Sequence, residues 1–405
     1  MGAPSPWSGP IETHRYRRCL AGACAALGLC ASFASAEETS GWDFGGALRF
    51  NYVQNDYASG YDGAGKLDFD TARVNLDYRR DALTGSFEYR YYRGRAAGDG
   101  RFVQSVFDGD ATDSHFLHHA WVGWRFANDD EVRLGVHKVP FGALPFASHS
   151  YFFQLPYYVG LEDAYNLGIG YAATRGDWRA HLAFYARPGP DGHGESRDSA
   201  RYTYNLVETE SADNRERNTV VGRLARVLRH RADASTEVGL SLLAGEVPDG
   251  VSGRTGHRWA AALHAQGTYG RWGLKAEWIR YRFDLKSAET DVVMMGAYDA
   301  PYEVASQGDL LVAGLSYRLP VGRGPLDEVS LYYDYSVLYK DVAGFPHSRQ
   351  SIVGAAWTLG KWLIYTDLTF GKHHPFIGPD YGAALGPGGD DEWHRRFNIN
   401  VGYYF

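Results

Sequence analysis

Residues 396–405 read Arg396-Phe397-Asn398-Ile399-Asn400-Val401-Gly402-Tyr403-Tyr404-Phe405. Large apolar side chains occupy every second position from Phe397 to Phe405, and asparagine, glycine and Tyr404 lie between them. Because side chains of a β-strand alternate between its two faces, this stretch presents one apolar face and one largely polar face. Such a strand suits a sheet with lipid on one side and water on the other. This stretch alone leaves open the alternative of an edge strand in a soluble sandwich.

The same alternation recurs along most of the chain. Phe87, Tyr89 and Tyr91, for example, alternate with Glu88 and Arg90. We count about sixteen such segments, joined alternately by short turns and by long polar connections, as in bacterial single-chain barrels of the outer membrane. Because the count is even, both termini of the chain are expected on the periplasmic side. The pattern therefore predicts an all-β fold, a transmembrane antiparallel β-barrel of about sixteen strands over residues 37–405.

The N-terminal segment has the composition of a secretory signal peptide. Arg15, Arg17 and Arg18 precede the apolar run 20–33, and Ala34-Ser35-Ala36 forms a small-residue cleavage site. The apolar run is shorter than the ~20 residues that a transmembrane helix needs. We predict that residues 1–36 are a signal peptide; an apolar helix of a soluble domain is the alternative. All three cysteines lie within this segment, so we expect no disulfide in residues 37–405.

The charge balance and the motifs exclude several functional classes. Without residues 1–36, which hold three Arg and one Glu, 41 basic and 48 acidic residues become 38 and 47, a net charge of −9. This balance disfavours nucleic acid as a partner, since phosphate binding needs clustered Lys and Arg. The sequence contains no nucleophile elbow and no phosphate-binding loop motif.

The histidine pairs do not indicate a metal site or a catalytic site. His118-His119 lies in a predicted strand, where adjacent side chains face opposite ways, and His373-His374 lacks ligands at metal-binding spacing. His149-Ser150 is the single conspicuous pairing of a base with a nucleophile, but adjacent residues rarely act as such a pair. We therefore expect no catalytic residues, no metal and no cofactor.

The connection between the fifth and sixth predicted strands differs from the other connections. The stretch 138–163 is apolar, aromatic and stiffened by Pro140, Pro145 and Pro156, whereas the other long connections are acidic and rich in glycine. Because an exposed stretch of this kind would favour aggregation, we expect it to pack inside the barrel. A barrel of about sixteen strands is wide enough for an aqueous channel unless something narrows it. We predict that residues 137–165 form a constriction loop folded into the lumen.

This stretch also carries a family resemblance. Lys138-Val139-Pro140-Phe141-Gly142 after a strand, Tyr157-Tyr158 followed by Gly160-Leu161-Glu162-Asp163, and the terminal Phe405 resemble the phosphate-selective porin O/P family of Gram-negative outer membranes. The resemblance implies a sixteen-stranded, usually trimeric porin in outer-membrane lipid, with its third outward loop folded into the lumen. Some members of the family select anions through inward-facing Arg and Lys. The expected assembly is therefore a homotrimer.

Inward-facing charges are the candidate pore residues. The constriction stretch itself carries Lys138 and His149, and the predicted inward cations of the strands are Arg49, Arg73, Arg90, Arg133, Arg179, Arg223 and Lys275. Of these, the predicted pore set comprises Lys138, His149, Arg73, Arg133, Arg179, Arg223 and Lys275. Facing rings of cations would favour anions in a narrow passage. However, the predicted inward acids are almost as numerous: Asp43, Asp77, Glu88, Glu237, Glu277, Asp334 and Asp367. Paired wall charges around a weakly selective pore therefore stay open as the alternative.

The sequence predicts an outer-membrane porin of a Gram-negative bacterium. Small hydrophilic solutes, with anions such as phosphate as candidates, would diffuse passively through a lumen narrowed by the loop. The alternatives are a barrel enzyme such as a lipase or protease and a surface receptor that binds ligands with its long loops. Hydrolysis of lipid or peptide by the solubilised protein would favour the enzyme. Conductance that survives trimming of the loops would disfavour the receptor.

Overall fold

A computed structural model describes residues 41–57, 65–93, 95–96, 102–103, 113–196, 198–208 and 213–405. The predicted signal peptide, residues 1–36, lies outside the described residues. Sixteen antiparallel strands form one closed barrel, which confirms the predicted fold class and the strand count. The first eight strands are β1 Gly41–Asn55, β2 Lys66–Arg80, β3 Leu83–Arg93, β4 Asp113–Arg125, β5 Glu131–Lys138, β6 Tyr165–Arg175, β7 Trp178–Pro188 and β8 Arg217–Arg231. The last eight are β9 Ala234–Pro248, β10 Thr255–Tyr269, β11 Trp272–Asp284, β12 Gln307–Arg323, β13 Leu326–Lys340, β14 Ser348–Leu359, β15 Trp362–Lys372 and β16 His394–Tyr404.

The first and last strands close the barrel. β1 pairs with β16 antiparallel, from Ala47 opposite Tyr404 to Asn55 opposite Arg396. The carbonyl of Phe405 accepts a hydrogen bond from the N–H of Gly46 at 2.9 Å, and the N–H of Phe405 donates to the carbonyl of Gly46 at 3.1 Å. Closure leaves the barrel sheet without an open edge, which a sheet in lipid requires because unpaired backbone groups cannot find water there.

The outer face of the barrel is apolar. Its mid-height carries leucines that are about half exposed, among them Leu182, Leu224, Leu240, Leu263 and Leu331. Exposed tryptophans lie beside the short-turn ends of the strands: Trp42, Trp124, Trp178, Trp272 and Trp362. An apolar band flanked by an aromatic girdle is the surface that a barrel presents to lipid. The alternation predicted for residues 397–405 is confirmed, since Asn398 and Asn400 are buried toward the lumen.

The connection after β5 contains a short helix, α1 Leu155–Tyr158, which is buried together with much of the loop around it. No helix of the described ranges is long and apolar enough to cross a membrane. Three further strands, Asn205–Leu206, Val292–Ala297 and Ala300–Ala305, form a small sheet from two of the long connections. Residues 382–385 pack against this sheet through backbone hydrogen bonds, for example from the N–H of Ala305 to the carbonyl of Leu385 at 2.9 Å. We call this assembly the outer cap.

The lipid-facing assignment predicts a depth-dependent cost for charge on the outer face. Leu240 lies at mid-height of β9, opposite Leu224 and Leu263. Leu240→Arg should lower the free energy of unfolding by about 2–4 kcal/mol, because the guanidinium would enter the hydrocarbon. Reversible urea unfolding in lipid vesicles measures this loss.

Ala244→Arg is the matched control, because Ala244 lies on the same strand and face but nearer the long-connection end. Its expected cost is smaller, about 0–1 kcal/mol. Equal costs at the two positions would contradict a lipid-facing β9 with Leu240 near the bilayer centre.

Candidate pore constriction

The constriction loop begins with a close approach to the wall at Gly142. The N–H of Gly142 donates to Oγ of Ser241 at 3.0 Å, and Nε of Arg223 donates to its carbonyl at 2.8 Å. The N–H of Ala143 donates to Oε1 of Glu277 at 2.9 Å. Gly142 has a φ of +66°, and a Cβ there would lie 1.9 Å from Oε1 of Glu277. Glycine is therefore the residue that permits both the turn and the contact.

The middle of the loop is held by one lysine and one aspartate of the wall. Nζ of Lys275 donates to the carbonyls of Phe146 at 2.9 Å and of Ser148 at 2.7 Å. Oδ2 of Asp334 accepts from the N–H groups of His149 at 2.7 Å and of Ser150 at 2.9 Å. Oδ1 of the same aspartate lies 2.8 Å from Nδ1 of His149. Two charged side chains thus satisfy several backbone groups that water would otherwise bind.

The far end of the loop reaches the strands on both sides of the closing pair. The N–H of Tyr151 donates to Asp367 on β15 at 3.3 Å, and the hydroxyl of Tyr151 donates to Asp70 on β2 at 2.9 Å. At the base of the loop, Nζ of Lys138 contacts Oδ1 of Asp163 at 2.7 Å and the carbonyl of Pro145 at 2.9 Å. The loop therefore follows the inner wall from β8 to β15, as the prediction of an infolded third loop requires.

A cavity of about 160 Å³ lies between this loop and the inner wall. Four arginines line it, Arg49, Arg73 and Arg90 on β1 to β3 and Arg396 on β16. Each guanidinium carbon lies over an aromatic ring: Arg49 over Tyr151 at 5.6 Å, Arg73 over Tyr404 at 5.1 Å, Arg90 over Tyr202 at 4.5 Å and Arg396 over Phe152 at 4.7 Å. Cation–π attraction holds each cation in place without neutralising its charge.

Three of these arginines form ion pairs with carboxylates of the wall, but two of the three share one carboxylate. Nε of Arg49 lies 3.2 Å from Asp70. Arg73 and Arg90 both contact Glu88, at 3.6 Å and 2.5 Å. Four cations of this cavity therefore face two paired carboxylates, Asp70 and Glu88.

Arg396 differs from the other three. It is 7% exposed, and it donates to Oδ1 of Asn398 at 3.2 Å. Within the described ranges no Asp or Glu pairs with it, and its Nε has no hydrogen-bond partner. In the nearby outer loop, burial and then the charge of Arg396 lower the pKa of the His374 imidazole to about 3, so this ring is neutral. Burying a cation without a paired carboxylate costs several kcal/mol, on the order of the penalty for one desolvated ion.

Residues 47–302, more than half of the chain, match the family described as phosphate-selective porin O and P. The chain belongs to this porin family. The predicted family resemblance is thereby confirmed, and the match supports an outer-membrane channel over the barrel enzyme and receptor that the sequence left open. A comparison with curated proteins finds no match.

Solved structures with the same fold are porins and outer-membrane proteins. An anion-selective porin from Comamonas acidovorans is 16% identical over 90% of this chain and 99% of its own, with a TM-score of 0.56. OmpF of Salmonella typhi in complex with daunomycin is 12% identical over 91% and 99%, with a TM-score of 0.57. OmpT of Vibrio cholerae, described as a trimer form, is 13% identical over 90% and 99%, with a TM-score of 0.52. At these identities the similarity establishes the fold of the porin.

The predicted pore residues occupy three kinds of position in this porin. Of the predicted set, Arg73 alone lines the cavity. Arg223 and Lys275 bind loop carbonyls, His149 contacts Asp334, and Lys138 closes the base of the loop. Arg133 pairs with Glu131 at 3.1 Å and Arg179 with Glu237 at 2.9 Å, both near the short turns.

Other cavity residues were absent from the predicted set. Arg49 and Arg90 were predicted to face inward but were not singled out, and Arg396 was not assigned although it stands at the start of the quoted stretch. The alternation of faces along the strand could have assigned Arg396 to the lumen, since it shares the face of Asn398 and Asn400. The tyrosines of α1 and of the outer connections could not be placed by parity, because they lie outside the strands. Across the part of the chain described, no cluster of three or more His, Cys, Asp or Glu is arranged to hold a metal ion.

The anchoring of the loop predicts a mechanical role for Lys275. Lys275→Met should remove two charge-assisted hydrogen bonds, each contributing about 1.5–3 kcal/mol, and so release the middle of the loop. We expect a larger and noisier single-channel conductance, because a displaced loop narrows the lumen less. Current recordings in planar bilayers measure both quantities.

Lys361→Met makes the same change in charge at an exposed position in the short turn between β14 and β15, and it should leave the conductance unaltered. A Lys275→Met channel with the conductance and noise of the unaltered protein would argue against loop anchoring by this residue.

Proposed function

We propose that this protein is a passive porin of a Gram-negative outer membrane that prefers small anions. Solutes would diffuse through the lumen and pass the cavity between the constriction loop and strands β1 to β3 and β16. The charges of that cavity would decide which ions enter it readily. No energy source or cofactor is part of the proposal.

The observation that carries the anion preference is the charge imbalance of the cavity. Arg49, Arg73, Arg90 and Arg396 stand against Asp70 and Glu88, and the further pair of Lys138 with Asp163 adds no net charge. An excess of fixed positive charge in a narrow, low-dielectric passage attracts anions and repels cations.

Two comparisons support the same preference. The family description names phosphate selectivity, and one solved porin with this fold is described as anion-selective. The rigid anchoring of the loop supports passive diffusion, because a wall-bound loop keeps the passage at a fixed width without a moving gate. Phosphate is accordingly the inorganic anion to test first.

Neutralising one cavity cation should weaken the preference. Arg73→Gln leaves Glu88 paired with Arg90 at 2.5 Å, so no buried carboxylate is orphaned. A unit charge about 6 Å from the ion in a water-like dielectric contributes about 0.7 kcal/mol, favourable for an anion and unfavourable for a cation, so the anion-to-cation permeability ratio should fall about tenfold. The reversal potential across a KCl gradient measures this ratio, with and without added phosphate.

Arg80→Gln is the matched control on the same strand, since its side chain is exposed beside Asp81 at the turn. It should leave the reversal potential where it was. Cation preference in the unaltered channel would refute the anion part of the proposal. Absence of any current steps from folded protein would refute the channel itself.

We further infer a homotrimer. The support is the family membership and the solved Vibrio cholerae neighbour described as a trimer form. Light scattering on the detergent-solubilised protein, corrected for bound detergent, should give a mass of three chains. A heat-denatured sample supplies the one-chain reference, and a native mass equal to that reference would contradict the inference.

A further inference from the structure

Aromatic rings dominate the lining of the arginine cavity. Thirteen of its twenty-two lining residues carry a Tyr or Phe ring. The face of such a ring carries partial negative charge and repels a bare anion, whereas another aromatic ring packs against it favourably. The lining therefore favours a solute that combines an anionic group with an aromatic ring.

Arg396 supplies the place for the anionic group. It is more than nine-tenths buried, it lines the cavity, and its Nε is without a hydrogen-bond partner in the described part of the chain. Asp367 on β15 interacts electrostatically with Arg396 but forms no ion pair with it, and its oxygens accept from the hydroxyl of Tyr332 and the N–H of Tyr151. A planar guanidinium that lines a cavity without a paired carboxylate is suited to a ligand carboxylate, which can accept two parallel hydrogen bonds.

One aromatic ring contacts this guanidinium, and others line the same cavity. Phe152 lies under it at 4.7 Å, and Tyr158 and Phe376, whose ring centroids are 5.4 Å apart, line the same cavity. The volume of about 160 Å³ matches one aromatic ring, because a cavity of about 150 Å³ in another protein binds benzene. The volume therefore accommodates one aromatic ring, and a carboxylate on that ring would lie against Arg396 in the cavity wall.

We propose that the cavity is a binding site for single-ring aromatic carboxylates, with the carboxylate on Arg396 and the ring among the aromatic side chains. This inference rests on the proposed function, because the ligand reaches the cavity by diffusion through the pore. Binding must stay weak enough for the ligand to leave, as conduction through any pore site requires.

Benzoate is the probe that tests the site. Added to a single channel in a planar bilayer, it should interrupt the current reversibly, and the concentration dependence gives an apparent Kd. Benzoate should bind about three- to tenfold more tightly than cyclohexanecarboxylate, which has the same charge and similar size but no aromatic ring. Inorganic phosphate should compete more weakly than benzoate.

Arg396→Gln should weaken benzoate binding about tenfold or more, because a charge-assisted hydrogen bond in a buried site is lost. Arg395→Gln is the matched control, since Arg395 is the adjacent residue, is exposed, and pairs with Asp56 at 3.3 Å. It should leave benzoate binding unaltered. Arg396→Lys keeps the charge but loses the planar fork, and an intermediate Kd is expected.

Three results would overturn the inference while the channel stays intact. They are equal binding of benzoate and cyclohexanecarboxylate, tighter binding of phosphate than of benzoate, and equal effects of the Arg396 and Arg395 variants. The comparison between ligands uses the unaltered protein, so it holds even if a variant fails to fold. Anion preference without benzoate binding would refute this site alone, and absence of current steps would refute the proposed function as well.

Discussion

The interior of this barrel depends on satisfying the backbone of one irregular loop. A segment with a single short helix has few hydrogen bonds of its own, and a buried N–H or carbonyl without a partner costs about 1–3 kcal/mol. Wall side chains supply the missing partners: Asp334 accepts two N–H groups, Glu277 accepts one, and Lys275 donates to two carbonyls. These charged side chains of the inner wall therefore serve mainly to bind the loop, and the pore occupies the part of the lumen that the loop leaves open.

The fold could be predicted because a strand with one face in lipid requires an apolar residue at every second position, and this pattern is visible in the sequence. Phe397 to Phe405 alternate with residues that the structure buries, and each short turn resets the alternation for the next strand. The alternation of faces also predicts which charges face inward. It could not tell at what height a charge lies or what it meets there, since that depends on the register between strands and on the path of the loop. The alternation predicts that Arg223 and Arg73 both face inward, yet Arg223 binds the carbonyl of Gly142 whereas Arg73 lines the cavity.

The outer cap lies beyond what the alternation could predict. Its strands are short, and the pairing of Asn205–Leu206 with Val292–Ala297 joins two connections more than eighty residues apart. Only the assembled barrel brings Leu206, Met295 and Val304 together in one buried cluster. The cap also touches the constriction loop, because the hydroxyl of Tyr302 donates to the carbonyl of Tyr158 at 2.6 Å. The rings of the cavity thus come from segments that sequence analysis treated as separate.

Tyr151 has a consequence for the order in which the molecule assembles. Its N–H and its hydroxyl bind β15 and β2, which flank the closing pair β16 and β1. These strands are brought together by contacts between the two ends of the chain, the slowest kind to form because loop closure over the whole chain precedes them. The two bonds of Tyr151 can therefore coexist only once the ring of strands is complete. Placement of Tyr151 is therefore coupled to closure of the seam, and a barrel that closes around a misplaced loop lacks these two hydrogen bonds.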